Sequence, residues 1–168
     1  MPKSATPTRR SGKIEAVVIR LLTKRRQTLA LAESCTGGGI AHRLTNVPGA
    51  SAVFPGGVVA YSNTAKQKFL GVRAGTLARH GAVSEAVARE MAEGVRETFG
   101  ADFALAVTGI AGPTGGTRVK PVGTVFIALA GAGGTVVERK FNPCGREQFK
   151  DLTAQQALEM LRARLVRD

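Results

Sequence analysis

The amino-acid sequence predicts a single α/β domain: a mixed, mostly parallel sheet with helices on both faces and an antiparallel hairpin late in the chain. Three features predict it. Runs with apolar residues at helical spacing alternate with short strand-like runs along the 168 residues. Two of the strand-like runs pass straight into glycine-rich loops, as strands of α/β sheets do. Two β-rich runs, Val122–Ala130 and Thr135–Phe141, are separated only by the Gly-rich turn at 131–134, which reads as a hairpin. A chain of this length buries one substantial core rather than two.

Taken in order, residues 1–11 hold two prolines, small polar residues and an Arg pair, and read as a disordered basic tail. The domain then occupies residues 12–168. Ile14, Val17, Val18, Leu21 and Leu22 recur at helical spacing and give a first amphipathic helix. Thr28–Ala32 is a short strand that runs into Glu33-Ser34-Cys35-Thr36-Gly37-Gly38-Gly39 and a small-residue helix to about Leu44. After the Pro48-Gly49 turn and a Phe-Pro-Gly-Gly interruption comes a strand, Val58–Tyr61, with Asn63 as the cap of a short helix carrying Lys66. Ser84 caps a further helix whose buried stripe is Val87, Met91 and Val95. Asp102–Thr108 is a strand leading into the loop Gly109–Gly116, the hairpin follows, and a helix from about Arg146 to Val166 closes the domain.

Composition narrows the functional classes. Apolar residues make up 43% of the chain and charged residues 21%, so a wholly disordered chain is excluded. No apolar run reaches the length of a membrane-spanning helix, and the basic N-terminus lacks the apolar stretch of a secretory signal, so the expected compartment is the cytoplasm. Cys35 and Cys144 are too few for a disulfide framework or a four-thiolate zinc site. Net charge is +12, but residues 1–26 alone carry eight Lys/Arg against one acid, while residues 27–137 carry nine against six. With 5% aromatic residues and no Trp, base-stacking surfaces are poorly supplied, which argues against nucleic acid as the main partner. A small phosphorylated metabolite is the better match to the basic balance.

Three segments carry more Gly, Ser and Thr than packing requires. In Glu33–Gly39, a Ser or Cys between a strand and a helix sits beside free backbone N–H groups, the setting of a nucleophile with an oxyanion site; Ser34 could equally be a helix cap alone. The spacing is not that of a G-x-S-x-G elbow. In Tyr61–Lys66, the lysine can supply the base that such a nucleophile needs, because His42 and His80 fall on a helix surface and in a turn. A partly desolvated lysine has a lowered pKa, and Tyr61 can hold it or relay a proton. Lys66 on a solvated helix face is the plain alternative. The loop Thr108–Gly116 can bring backbone N–H groups to an anion, although it is neither a P-loop nor a dinucleotide fingerprint. Arg118, Lys120 and Arg146 can add charge for a phosphate. No H-E-x-x-H and no Asp cluster are present, so neither a metal nor another cofactor is expected.

Together the segments resemble a specific family, the nicotinamide mononucleotide amidohydrolases, also known as the C-terminal domain of the competence/damage-inducible protein CinA. The resemblance rests on Ala32-Glu33-Ser34-Cys35-Thr36-Gly37-Gly38, on Tyr61-Ser62-Asn63 with Lys66, on Gly81-Ala82-Val83-Ser84, on Thr108-Gly109-Ile110-Ala111-Gly112-Pro113 with Gly115-Gly116, and on Lys120–Val125. These occur in the family's order across about residues 13–166. The resemblance implies a three-layer α/β/α domain that hydrolyses the carboxamide of nicotinamide mononucleotide to nicotinate mononucleotide and ammonia, in pyridine nucleotide recycling, with serine and lysine and no metal. It implies Ser34 as nucleophile, Lys66 as base and Tyr61 as an aid to proton transfer. Thr108 and Arg146 would be further active-site or substrate-binding positions, and the chain would be the stand-alone form of the family. Two departures stand out: Cys144-Gly145-Arg146 lacks the Asp of the family's usual Gly-Asp-Arg, and Gly39 replaces a bulkier residue.

In that scheme the N–H groups around Cys35–Gly38 hold the oxyanion, and Thr36, Gly37, Gly38, Gly109 and Arg146 help to seat the substrate. Cys35 is the rival nucleophile. A nucleotide-binding regulatory module without catalysis is the rival function. An apolar face on the Ser84–Phe99 helix could pair subunits into a homo-oligomer or simply pack on the sheet.

Overall fold

A computed structural model describes residues 12–167, so the expected tail at 1–11 lies outside the described residues. Helix α1 spans Ile14–Arg25, strand β1 Leu29–Glu33 and α2 Gly39–Thr45; a 3-10 turn at Ala50–Ala52 leads to β2, Gly56–Val59. Helices α3 (Asn63–Leu70), α4 (Ala74–His80) and α5 (Glu85–Phe99) follow, then β3 (Phe103–Gly109), β4 (Thr124–Gly131), β5 (Gly134–Phe141) and α6 (Arg146–Arg167). The five strands form one sheet in the order β2-β1-β3-β4-β5. β1 pairs parallel with both β2 and β3, whereas β4 runs antiparallel to both of its neighbours. Gly131 pairs with Gly134, so the expected hairpin closes through Ala132-Gly133 alone.

The two faces of the sheet are built differently. Leu29, Leu31, Phe103, Leu105, Val107, Val125, Ile127 and Leu129 point to one side, where they meet α1, α2 and α6. The alternate positions Ala30, Ala32, Ala104, Ala106, Ala128 and Ala130 point to the other, under α3 and α5. Period-two alternation of large and small residues thus lets α5 lie close to the sheet. At Gly94 of α5 a Cβ would fall 1.8 Å from the Leu70 carbonyl oxygen, so the end of α3 meets α5 backbone to backbone. The stripe Val87, Met91 and Val95 is fully buried within the chain, packed on the sheet.

Several local expectations are corrected. Ser62, not Asn63, caps α3: its Oγ accepts the Ala65 N–H at 3.1 Å, while Asn63 is already helical. Strand β2 starts at the glycine pair rather than at Val58. Gly57 lies so close to β1 that a Cβ would stand 2.7 Å from the Leu31 carbonyl oxygen. His80 is the last residue of α4, a short helix that the periodicity of residues 74–80 does not reveal. Ser84 does cap α5, accepting the Val87 N–H at 3.3 Å. No helix among the described residues is long and apolar enough to cross a membrane.

Candidate active site

Strands β2, β1 and β3 run in the same direction, and their carboxyl ends lie side by side. The chain leaves β1 toward β2 and leaves β3 toward β4, so this is the point where connections diverge, the usual place for a ligand in an open α/β sheet. Ser34 and Cys35 follow β1, Tyr61 follows β2, and Thr108 and Gly109 end β3. With Lys66 and Arg146 they line one cavity of about 280 Å³.

The Lys66 Nζ lies 3.0 Å from Ser34 Oγ and donates to the Ala60 carbonyl oxygen at 3.0 Å. Both side chains are buried, Lys66 to 2% exposure. Burial disfavours the ammonium and lowers the Lys66 pKa below 10.5; a Cys35 thiolate would oppose this. That opposition is absent near neutral pH. Burial pushes the Cys35 thiol up to about 12, the nearby Glu33 charge adds to it, and the N–H groups of Cys35 and Thr36 only partly offset them. The site therefore pairs an amine inclined to be neutral with a hydroxyl, beside a thiol that stays protonated.

Glu33 organises the turn that holds Ser34. It is the last residue of β1 and is 1% exposed. Its Oε2 accepts from Thr36 Oγ1 at 2.6 Å, Gly38 N–H at 3.0 Å and Ile40 N–H at 3.1 Å, and its Oε1 from Ala41 N–H at 2.8 Å. The turn that carries Ser34 is thus wrapped around a carboxylate. This corrects the expected oxyanion site: the Gly38 N–H is spent on Glu33 and the Gly37 N–H on the Ser34 carbonyl at 3.1 Å. Within Cys35–Gly38, the N–H groups of Cys35 and Thr36 have no oxygen acceptor among the described residues.

Other expected residues separate into two places. Thr108 is buried in the cavity wall and donates its hydroxyl to the Ala82 carbonyl at 2.8 Å, tying β3 to the loop before α5. Gly109 must lack a side chain, since a Cβ would stand 2.9 Å from the Thr124 carbonyl oxygen. Tyr61 does not reach Lys66 as a proton relay; its hydroxyl accepts from Arg146 Nη2 at 2.6 Å, and Arg146 Nη1 donates to the Gly112 carbonyl at 2.8 Å. Lys120 turns away as well, donating to the His80 carbonyl at 2.7 Å. Thr36, Gly37 and Gly38 line a neighbouring cleft of about 630 Å³ instead, and Thr36 keeps its hydroxyl on Glu33. Arg146 borders both spaces. Among the described residues no three His, Cys, Asp or Glu side chains gather in a group that could hold a metal ion.

Sequence reasoning missed Glu33 as a hub and Ala60 and Ala82 as carbonyl partners. A charge ending an otherwise apolar strand is the signal that was available for Glu33, because a buried carboxylate demands donors.

Known proteins share this fold and much of this sequence. The CinA C-terminal domain family matches residues 11–165. A CinA-like protein of Synechococcus sp. (strain CC9902) is 54% identical over 155 residues, covering 91% of this chain and 37% of that protein. One from Thermotoga maritima is 52% identical over 151 residues, covering 89% and 36%. The chain thus spans little more than a third of the length of these curated relatives. A CinA superfamily protein from Klebsiella pneumoniae superposes with a TM-score of 0.89 at 38% identity, covering 92% of this chain and 97% of that one. The competence/damage-inducible protein CihA from Agrobacterium tumefaciens gives 0.86 at 42% identity, covering 96% and 98%. With the family match running over residues 11–165 and relatives this similar in sequence and fold, the chain belongs to the CinA C-terminal domain family.

Proposed function

We propose that the domain hydrolyses the carboxamide of nicotinamide mononucleotide to nicotinate mononucleotide and ammonia, with Ser34 as nucleophile and Lys66 as base. One observation carries the chemistry: the 3.0 Å contact between Lys66 Nζ and Ser34 Oγ, with an amine that burial inclines to be neutral. The substrate is the one implied by the sequence resemblance. Cys35 is set aside as nucleophile because its thiol, pushed up to about 12, has almost no thiolate near neutral pH.

Neutral Lys66 takes the Ser34 proton as Oγ bonds to the amide carbon, and its own N–H groups remain directed at the Ala60 carbonyl. The N–H groups of Cys35 and Thr36 are the donors left for the oxyanion. The Lys66 ammonium then returns the proton to the leaving nitrogen, the C–N bond breaks and ammonia departs. Water, deprotonated by the same amine, cleaves the serine ester and releases the carboxylate product. Tyr61 and Arg146 close the cavity rim rather than moving this proton.

The test is ammonia release from the mononucleotide, the riboside and free nicotinamide. Ser34→Ala should lose on the order of 10³-fold or more of the turnover while keeping the fold. Wild-type turnover by that variant refutes the mechanism. Saturable nucleotide binding by the unaltered protein without any ammonia favours a regulatory binding module instead.

A further inference from the structure

We propose that the cleft bordering the Gly37–Gly39 turn is an anion subsite for the substrate's phosphate, with Lys150 as the cation that sets the preference for a phosphorylated ligand. The inference rests on the mononucleotide reading above. The Ser34 cavity, about 280 Å³, lies at the small end of ligand sites, which run to roughly 300–1,000 Å³. The adjoining cleft adds about 630 Å³, and Arg146 forms part of both walls. A ring carboxamide seated against Ser34 can therefore extend its sugar and phosphate past Arg146 into the cleft.

Cations line that path, but most are committed. Arg146 is held by Tyr61 and Gly112, and Arg43 by Glu15 at 2.9 Å and Gln155 at 2.7 Å. The exposed His42 ring lies 3.3 Å from the Asn46 amide. Lys150 differs: it is half-buried, and among the described residues its ammonium has no hydrogen-bond or salt-bridge partner. It lies over Gly37, 3.7 Å from where a Cβ at that glycine would sit, so the glycine leaves the ammonium uncovered. Lys150 follows Arg146 by four residues on α6, which places it on the same face one turn on, about 6 Å along the axis. Glu147 and Asp151 also line the cleft; both are exposed, where water and salt screen their repulsion of an anion. An unpaired ammonium one turn beyond the cavity wall is the arrangement that takes a phosphate held by a sugar.

Calorimetric affinities of nicotinamide mononucleotide and its riboside test this on the full chain, every protein carrying Ser34→Ala so that the ligand is not consumed. With Lys150 in place the protein should prefer the mononucleotide. Lys150→Ala should reduce the ratio of the two affinities by about tenfold or more, the size of one charge-assisted hydrogen bond. Lys150→Glu should reduce it further and Lys150→Arg should largely restore it. An unchanged ratio in Lys150→Ala, or no preference for the phosphorylated ligand with Lys150 in place, overturns the subsite. Ammonia release by the unaltered protein is read separately: its absence with a Lys150-dependent preference removes the hydrolysis and leaves the subsite standing.

Discussion

Glu33→Gln is the sharpest probe of how the serine turn is built. The carboxylate takes four donors, three on Oε2 and one on Oε1. A glutamine keeps one accepting oxygen and turns an NH2 toward the rest. In its best orientation the carbonyl serves Thr36, Gly38 and Ile40, and the Ala41 N–H meets another donor in the interior. That loss alone costs about 1–3 kcal/mol, and each remaining bond, no longer charge-assisted, weakens by about 1 kcal/mol. A net cost of about 3 kcal/mol is a conservative reading, equivalent to a melting temperature lower by about 6–12 °C for a chain of this size. Thermal unfolding followed by circular dichroism near neutral pH measures it, and ammonia release reports whether Ser34 remains aligned. A Glu33→Gln protein melting within about 2 °C of the unaltered one would show that the carboxylate does not hold the turn.

Two further outcomes follow from the buried amine and thiol. Because the Lys66 pKa is lowered below its unfolded value of 10.5, the unfolded chain binds more protons in the interval between them, so burial of Lys66 costs most below that interval and the cost fades as pH rises through it. Urea midpoints of Lys66→Met and of the unaltered protein should therefore shift in favour of the unaltered protein as pH climbs from neutral toward 10.5, and kcat/KM should rise with pH through the lowered value. A difference independent of pH would contradict the assignment. For the cysteines, iodoacetamide at mildly alkaline pH should label the half-buried Cys144 well before the buried Cys35, as mass spectrometry of the digested protein would show. Faster labelling of Cys35 would mean a thiolate is present beside Lys66.

Much of the fold was legible because its signals are local. The helical spacing of Ile14–Leu22, the two strand-to-glycine passages and the hairpin glycines each express a backbone preference that survives folding. Element ends were less legible where tertiary approach decides them, as at Gly56-Gly57, which reads as a breaker yet begins a strand where the Phe99 ring leaves no room for a side chain at the first glycine and β1 leaves none at the second. At the site, the pairing of Ser34 with Lys66 followed from the need for a base where no histidine is well placed. The partner of Tyr61 did not, since Arg146 lies 85 positions away and only packing brings them together. The competition of Glu33 for the Gly38 N–H was equally hidden, because a sequence shows donors but not which acceptor reaches them first.

The Gly94 crossing has a bearing on what variation the protein can tolerate. The helix that carries Lys66 rests on α5 with no side chain between the backbones, and α5 rests on a floor of alanines. A methyl group added at Gly94 meets the Leu70 backbone itself, so enlargement there displaces the helix that carries the amine. The leucine- and valine-lined side of the sheet can trade volume among neighbours. Drift in sequence should therefore be screened most severely beneath the lysine, far from any atom that meets a ligand.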